Sequence, residues 1–555
     1  MILDLFIFFV VYYLSFISIY SYGKYFTKIF FGDQNLIKSN KNDFIYIFYG
    51  ISFFILLSWI YHFSFGLKSE WFNLILILFG IILFFFDKDK TKKPLFYFVP
   101  LILFSAIVIY NNHNDYHLYH FQNIVELTDS FPKIGLGNLN AKYVYSSIYI
   151  YYESIFNFPT FKYQFFNIPR FLLFISICGY LIFNLLDKNS KSKHFLSAIF
   201  LIFILLKFKR FSEHGYDYLV IFYIMFIFVE YFYQIKKKLF DLKKILFLFA
   251  ITVLIKVTAL FFFPFIVYSV LNNYFYNKNL NIIIKNSLPA LLISIVFFAN
   301  SFLNSGCIFY SIQKTCIDHK NISWSIKYAD IENEKKVAEQ WAKGFFHQKN
   351  KDKILNYDEY IKNGKWIFHW FNDHFKNKIF EPILIYISII FIFYFISRSN
   401  KKIQDKDYIL LFPTIISLFF WFFSLPQLRF GYFYILLLIY LVLNLFFKKE
   451  ILINYKTKLF IILSFIFFNI HNVNRIYNEF KENSNFPWYE TIDYKTNEFK
   501  MNNISYYHYA RDENFLRVGE SKKNIDFKYN LVFRNHKIEI KKKNNLLILK
   551  KVSNL

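Results

Sequence analysis

The sequence contains few of the residues that build cofactor motifs or covalent frameworks. Its 555 residues include only 3 cysteines, 3 methionines, 14 glycines and 11 prolines. It contains no CxxC pair, no Walker phosphate-binding loop, no GxGxxG fingerprint and no internal repeat of fixed period. These absences argue against a nucleotide-binding fold built on a glycine loop, a CxxC metal or redox centre and a repeat array. Residues 1–21 also lack a basic n-region and a small-residue cleavage site, so we expect no cleavable signal peptide.

Apolar and aromatic side chains are instead abundant. Hydrophobic residues make up 56% of the chain, aromatic residues 24%, and the mean hydropathy is +0.31. These values are too apolar for a soluble globular protein of this length. The composition therefore predicts an all-α polytopic membrane protein. The excess of Phe, Ile, Lys, Asn and Tyr is typical of an AT-rich genome and carries no functional message.

Apolar stretches of helical length recur along the chain and predict about fourteen transmembrane helices. The main question is whether residues 245–273 form one helix or two. In a single helix Lys256 would lie at mid-bilayer, where a lysine is costly. We therefore predict two short helices that turn near Lys256, which brings its ammonium group to an interface. The stretches are 3–21, 44–65, 72–86, 95–110, 171–187, 194–206, 216–234, 245–256, 258–273, 286–303, 379–397, 408–424, 430–447 and 459–473.

Positive charge is distributed unequally between the two sets of connections. One set carries twenty-six Lys and Arg residues, whereas the short connections of the other set carry six. The net charge of +27 is therefore interpreted as a topology signal and not as a nucleic-acid surface. By the positive-inside rule the rich side is cytoplasmic and both termini are extracytoplasmic, with the chain in a bacterial inner membrane. The six are Lys68, Lys207, Lys209, Arg210, Lys256 and Arg429.

This topology places three long segments outside: 111–170, 304–378 and 474–555. We divide the chain into additional N-terminal helices (1–94), a transmembrane core (95–473) and an extracytoplasmic C-terminal segment. In that last segment "KYNLVFRNHKIEI" and "NNLLILKKV" alternate apolar and polar residues, which predicts short strands and a small β-rich appendage.

The cysteines fit this topology. Cys307 and Cys316 are close enough in sequence to close a small loop, and an extracytoplasmic position would permit a disulfide. Spacing alone does not fix the geometry that a bridge needs, so both states remain open. Cys178 lies within an apolar stretch and is predicted to be a small buried hydrophobe.

Ionisable residues gather where the fourth apolar stretch ends, in "NNHNDYHLYH" (111–120). Asp115 would lie at the junction with an amphipathic interfacial helix. A partly desolvated carboxylate there can accept a proton from a hydroxyl, and it can equally cap a helix and do nothing else. His113, His117 and His120 have helical spacing and suggest a metal site, but simple hydrogen bonding of interfacial histidines is commoner. We assign no metal ligand and leave a divalent metal ion open as a cofactor.

Two further polar stretches lie on the predicted outer side. "PKIGLGNLN" (132–140) supplies glycines for a tight turn whose amides could bind an anion, although an ordinary loop is favoured. "RFSEHGYDY" (210–218) places Arg210, Glu213, His214 and Asp217 in or beside one short connection. They either pair with one another at the surface, where such pairs contribute little, or form part of a site with Asp115.

Lys256 and Arg429 form a third group. Arg429 follows Pro426 at an outer helix end and Lys256 lies at the predicted outer turn, so both could contact a phosphate. The alternative is that each side chain reaches to lipid headgroups. Their isolation on the side poor in positive charge favours the functional interpretation.

The order of these features along the chain resembles that in the GT-C superfamily of polytopic glycosyltransferases. Within that superfamily it is similar to a group of bacterial membrane proteins. The similar stretches are "D-x-x-x-YH" (Asp115 to His120), "GLGNL" (Gly135 to Leu139), "SEHG-x-D" (Ser212 to Asp217) and "P-x-x-RF" (Pro426 to Phe430). The resemblance covers about residues 95–430. Three apolar helices precede the one that leads into the first outer loop, whereas a GT-C core typically opens with that helix.

The resemblance implies roles for several residues. Asp115 would be the catalytic base, while Lys256 and Arg429 would hold the phosphate of a polyprenyl-linked sugar donor. Apart from the resemblance, the polar stretches make Arg210, Glu213, Asp217, His117 and His120 further candidates for the substrate-binding site. The implied partners are that donor, a glycan or lipid acceptor and membrane lipids, without nucleic acid. The alternatives are a lipid-linked polysaccharide polymerase or ligase, and a transporter, which ordinarily shows ionisable residues within broken helices.

Overall fold

A computed structural model describes most of the membrane region and parts of the C-terminal segment. The described residues are 2–32, 42–89, 91, 93–108, 120–128, 132–145, 147–161, 163–187, 193–231, 241–318, 321–347, 356–402, 407–447, 449–451, 454–482, 486–488, 496–501, 504–509, 516–518, 528–533, 536–543 and 546–554.

Helices dominate the described chain. The first half contains α1 (Ile2–Thr27), α2 (Phe44–Phe65), α3 (Glu70–Phe86), α4 (Pro94–Ile102), α5 (Phe104–Val108), α6 (Phe121–Thr128), α7 (Ala141–Val144), α8 (Tyr149–Ser154), α9 (Ile168–Leu186), α10 (His194–Leu206), α11 (Phe208–Phe211), α12 (Asp217–Tyr231) and α13 (Leu242–Ile255). The second half contains α14 (Phe263–Asn277), α15 (Leu280–Ser305), α16 (Tyr328–Ala342), α17 (Tyr357–Lys362), α18 (Lys365–Trp370), α19 (Glu381–Ser397), α20 (Leu411–Ser424), α21 (Leu428–Phe447) and α22 (Tyr455–Glu482).

Length and composition allow seven helices within the described ranges to cross a bilayer. Five shorter apolar helices accompany them. The chain is therefore an α-helical membrane protein, as its composition predicts. The seven spans are Ile2–Gly32, Phe44–Phe65, Ile168–Leu186, Val257–Asn277, Leu280–Ser305, Leu428–Leu445 and Tyr455–Lys481.

Small residues let the first two helices approach closely. A side chain at Gly23 of α1 would collide with the Tyr46 carbonyl of α2, and one at Gly50 would collide with the Ile19 carbonyl. Close backbone approach at small residues is the usual way in which helices associate inside a membrane.

The chain leaves α-helical conformation at Lys256, as predicted. Its backbone is extended (φ −162°, ψ 139°), and a 3₁₀ turn over Val257–Phe262 separates α13 from α14. Pro264 lies in the first turn of α14. A proline fits there because its missing N–H would have no partner at a helix start. Lys256 therefore lies at a helix end.

Ion pairs connect several helices through described residues in or beside the predicted cytoplasmic connections, and we call this region the lysine-rich end. Each pair joins two separate predicted cytoplasmic connections or the helix ends beside them. The pairs are Lys24 with Asp87 (2.7 Å), Lys93 with Asp43 (2.8 Å) and Lys193 with Glu230 (2.9 Å).

Described parts of the three long segments contact one another, and we call this region the loop end. The Gly135 amide donates to the Leu303 carbonyl (2.8 Å), and the Asn138 side-chain amide donates to the Trp324 carbonyl (2.8 Å). A disulfide joins Cys307 to Cys316, which answers the question that sequence spacing leaves open. Cys178 is buried within α9, as predicted.

Strands occur mainly in the C-terminal segment. They are β1 (Lys133–Ile134), β2 (Arg398–Lys402), β3 (Lys449–Ile451), β4 (Thr496–Met501), β5 (Ile504–Tyr509), β6 (Leu516–Val518), β7 (Lys528–Phe533), β8 (His536–Lys543) and β9 (Leu546–Asn554). Strands β7 to β9 confirm the prediction from the alternating stretches. One sheet has the order β1-β9-β8-β7, and β1 pairs with β9 in parallel. The C-terminal strand therefore attaches to the first long loop.

Candidate functional site

Three helix ends bring together one carboxylate and two cations. Asp217 begins α12, Lys256 follows α13, and Arg429 is the second residue of α21. The Arg429 Nε atom lies 3.0 Å from Asp217 Oδ2, and Lys256 Nζ contacts the other carboxylate oxygen. We call this group the cation cluster. The structure thus brings together three of the residues that sequence analysis selects at separate positions.

Exposure differs between the members of the cation cluster. The Asp217 side chain is 8% exposed, whereas Lys256 and Arg429 are 30% and 31% exposed. One buried carboxylate therefore holds two cations that still reach the surface. The cluster has an excess of one positive charge, and Arg and Lys together suit a phosphate group.

Aromatic rings support the two cations. The Arg429 guanidinium lies 4.9 Å from the ring centroid of Trp341 and 5.4 Å from that of Phe430. Lys256 Nζ lies 5.2 Å from the Phe430 ring. Such contacts favour the charged groups and restrict their motion. Because Trp341 belongs to α16, the second of the long segments also reaches the cluster.

A second polar group, which we call the Glu153 network, is buried beside the cation cluster. Tyr216 Oη donates to Glu153 Oε2 (2.9 Å), and Arg170 Nε lies 3.4 Å from Glu153 Oε1. His214 Nε2 lies 3.7 Å from Glu153 Oε2. Arg170 Nη1 also donates to the Glu213 carbonyl (3.0 Å). The network therefore connects α8, α9 and the residues before α12.

Burial has the largest effect on the pKa of Glu153. It raises the pKa of this carboxyl to about 8, although Arg170 and the hydrogen bond from Tyr216 act in the opposite direction. The group therefore changes protonation close to neutral pH. A buried carboxyl with such a pKa can hold or release a proton under ordinary conditions.

His120 packs against the Glu153 network and is close enough to the cation cluster for its charges to affect the imidazole. Its ring centroid lies 5.1 Å from that of His214 and 5.0 Å from that of Tyr216. Burial, followed by Lys256 and Arg170, lowers the pKa of His120 well below its ordinary value of 6.5. The His120 imidazole is therefore neutral at pH 7, and charges of both the cation cluster and the Glu153 network act on its pKa.

The remaining predicted residues divide into two sets. Asp115 and His117, like His113, lie outside the described residues. Arg210 and Glu213 pair with each other (2.8 Å), and the Arg210 side chain is 61% exposed. This pair matches the surface alternative considered for "RFSEHGYDY". Within the described ranges, no group of three or more His, Cys, Asp or Glu residues is arranged to hold a metal ion.

The "GLGN" turn contributes to packing at the loop end. Gly135 has a left-handed backbone (φ 81°), and the Asn138 side-chain amide donates to the carbonyl of Leu549 in β9 (3.1 Å). The Gly135 and Asn138 amides both donate to protein carbonyls. The turn therefore anchors the C-terminal strand, in line with the loop alternative favoured by the sequence.

Sequence analysis did not select Glu153, Arg170 or Tyr216. The available signal was a single carboxylate within the apolar stretch "YVYSSIYIYYESIFNF" and a single arginine at the start of the helix after "NIP". A lone charge in such surroundings is costly unless it finds a partner, so it marks a buried pair. The sequence does not show which partner it finds.

The fold and the cation cluster define an integral membrane protein with an anion-binding candidate site at its loop end. A family model described as a domain of unknown function (DUF8201) matches residues 5–436, and the chain belongs to that family. The match begins within α1 and includes α2, α3 and all members of both polar groups. No curated protein and no solved structure matches the chain significantly.

Proposed function

We propose that this chain is a membrane glycosyltransferase that moves a sugar from a polyprenyl-phosphate donor to an acceptor hydroxyl. One observation carries the proposal: Lys256 and Arg429 share the buried Asp217 at the meeting point of three helix ends, and both cations remain partly exposed. A site with one surplus positive charge beside apolar helices suits a phosphate that is attached to a lipid.

The proposed reaction needs no nucleotide. The acceptor oxygen forms a bond to the anomeric carbon, and the bond from that carbon to the phosphate oxygen breaks. The phosphate leaves with the electron pair, and Lys256 and Arg429 stabilise its charge. The hydroxyl proton passes to a carboxylate, which the GT-C resemblance assigns to Asp115.

Other residues have supporting roles in this proposal. Asp217 holds the two cations in place, and the neutral His120 packs against His214 and Tyr216 of the Glu153 network. His117, Arg210 and Glu213 complete the proposed substrate-binding site on the outer surface. The acceptor is a glycan or a lipid, and the product enters the cell envelope.

The proposal includes a GT-C-like fold with fourteen crossings and both termini outside the bacterial inner membrane. The two groups of contacts support this topology. Residues of the predicted cytoplasmic connections pair with one another at the lysine-rich end. Residues of the predicted outer segments contact one another at the loop end, through β1 with β9 and Arg429 with Trp341.

The test is transfer by the purified chain in lipid, with a panel of polyprenyl-phosphate sugars and acceptors. We expect Arg429→Ala to reduce turnover at least about 100-fold, since that is the usual cost of removing a group that stabilises transition-state charge. Asp115→Asn should reduce turnover by a similar factor. Arg475→Ala is the matched control, because Arg475 lies in α22 and is also partly exposed.

The outcomes separate the proposed activity from its alternatives. Turnover that survives Asp115→Asn unchanged would remove this residue as the base. Chain growth on a lipid-linked glycan would indicate a polymerase, and attachment of a complete glycan would indicate a ligase. Flux of a substrate across vesicles without a new glycosidic bond would indicate a transporter.

A further inference from the structure

An apolar cavity of about 210 Å³ lies between α10, α19 and α21. Among the residues that the structure describes, its walls are hydrocarbon and aromatic side chains except at Lys207, which is charged. The cavity is next to the cation cluster along α21, since Leu428 in its wall directly precedes Arg429.

Aromatic residues form a firm wall of this cavity. The Phe203 ring centroid lies 6.1 Å from that of Tyr386 and 5.2 Å from that of Tyr432. Tyr386 Oη donates to the Ile199 carbonyl (2.7 Å). The hydroxyl of Tyr386 is therefore already bonded, and its ring presents an apolar surface.

The cavity opens toward the side of the bundle that would face lipid. Two lining residues, Leu206 and Ile385, are 51% and 61% exposed. They lie on the short apolar helices α10 and α19. An apolar cavity of about 150 Å³ already holds a benzene molecule. The volume here accommodates a segment of one hydrocarbon chain, with the remainder of the chain in the bilayer.

Lys207 supplies a charge in the wall of the cavity. It caps the C-terminus of α10, and its Nζ atom lies 5.8 Å from the ring centroid of Tyr432. In the part of the chain that the structure describes, no carboxylate pairs with Lys207. An ammonium group in the wall of an otherwise apolar cavity suits a lipid with a negative headgroup.

We infer that this cavity binds one chain of an anionic phospholipid from the surrounding bilayer, with the headgroup phosphate at Lys207. The inference concerns a second ligand and needs no glycosyl transfer. The lipid-binding inference is therefore tested independently of the function proposed above.

Native mass spectrometry of the purified full-length chain tests this site. The protein is incubated with phosphatidylglycerol or with phosphatidylcholine of the same acyl chains. Wild type should retain one phosphatidylglycerol molecule in preference to phosphatidylcholine. Lys207→Gln should reduce this preference about tenfold, whereas the exposed Lys209→Gln should leave it unchanged.

Filling the cavity provides a second variant. Ile383→Trp places a larger side chain in its wall and should reduce retention of both lipids. Ile462→Trp makes the same change at a position that is 55% exposed on α22 and should have no effect. Equal retention of the two lipids by wild type would overturn the inference. So would equal behaviour of Lys207→Gln and Lys209→Gln in variants that fold.

Discussion

The lysine-rich end and the loop end use similar charged groups in opposite ways. At the lysine-rich end, Lys193 pairs with Glu230 at 2.9 Å, and their side chains are 7% and 2% exposed. Tyr180 also donates to the same Glu230 oxygen (2.6 Å). At the loop end, Asp217 is buried to a similar degree, but its two cationic partners are about 30% exposed.

This difference separates a structural pair from a candidate site. A lysine and a glutamate that bury each other balance their charges and offer a ligand no access. The cation cluster has two positive charges for one negative charge, and both cations reach the surface. Surplus charge and exposure, more than the presence of an ion pair, therefore distinguish the region that suits a phosphate.

The largest effect on stability is expected at the lysine-rich end. Glu230→Ala leaves Lys193 buried without this partner and should lower the free energy of unfolding by about 3–5 kcal/mol. Denaturant unfolding in detergent measures the change. The double variant Lys193→Met, Glu230→Leu should recover much of the loss, because an apolar pair can replace a buried ion pair. If Glu230→Ala were as stable as wild type, the Lys193–Glu230 pair would not be the structural pair that this comparison assumes.

A pH dependence is expected from the Glu153 network. Because the pKa of Glu153 is raised from 4.5 to about 8, the folded state binds the proton more tightly than the unfolded state. This contribution to stability is complete below pH 4.5 and is lost as the pH rises through 8. Its slope between these values is at most about 1.4 kcal/mol per pH unit.

Glu153→Gln isolates this contribution. The variant keeps the size of the side chain and cannot ionise, so the stability of wild type relative to the variant should fall as the pH rises from 5 to 8. Thermal unfolding at several pH values measures it. Parallel stability curves for the two proteins would show that Glu153 is not protonated at neutral pH.

Asp217→Asn should act mainly on ligand binding. The substitution leaves two cations without their shared negative charge, so the affinity for a prenyl phosphate should rise about tenfold at low salt. The gain should decline as ionic strength increases. Titration calorimetry in lipid nanodiscs measures both. Weaker binding by this variant would show that Asp217 is needed to position the cations more than it opposes the phosphate.

The smallest effect is expected for the Arg210 and Glu213 pair. Arg210 is 61% exposed, and exposed ion pairs typically contribute less than about 1 kcal/mol. Arg210→Ala should therefore change the unfolding midpoint little in the same denaturant assay. A loss as large as that of Glu230→Ala would contradict the distinction between exposed and buried pairs.

Much of the fold can be predicted from the sequence, because apolar runs and charge positions act locally. The cost of a lysine in hydrocarbon correctly predicts the helix break at Lys256. Alternation of side chains predicts strands in 528–552. The pairing of β1 with β9 joins residues 133–134 to 547–548, and no local pattern carries information on such a contact.

The candidate site can be predicted only in part. Lys256 and Arg429 stand out because positive residues are scarce on the predicted outer side, and Asp217 stands out in a short polar connection. Glu153 and Arg170 do not, because each is a single charge whose partner depends on how α8 and α9 pack. Burial also determines the pKa of Glu153, and burial is a property of the assembled helices.

The central claim is that the cation cluster binds a lipid-linked phosphate. The most direct measurement is the affinity of the full-length chain in nanodiscs for a prenyl phosphate, compared between wild type, Arg429→Ala and Arg475→Ala. The account predicts at least about a tenfold loss for Arg429→Ala, since a hydrogen bond to a charged group is removed, and no change for Arg475→Ala. Equal affinity of all three proteins would contradict it.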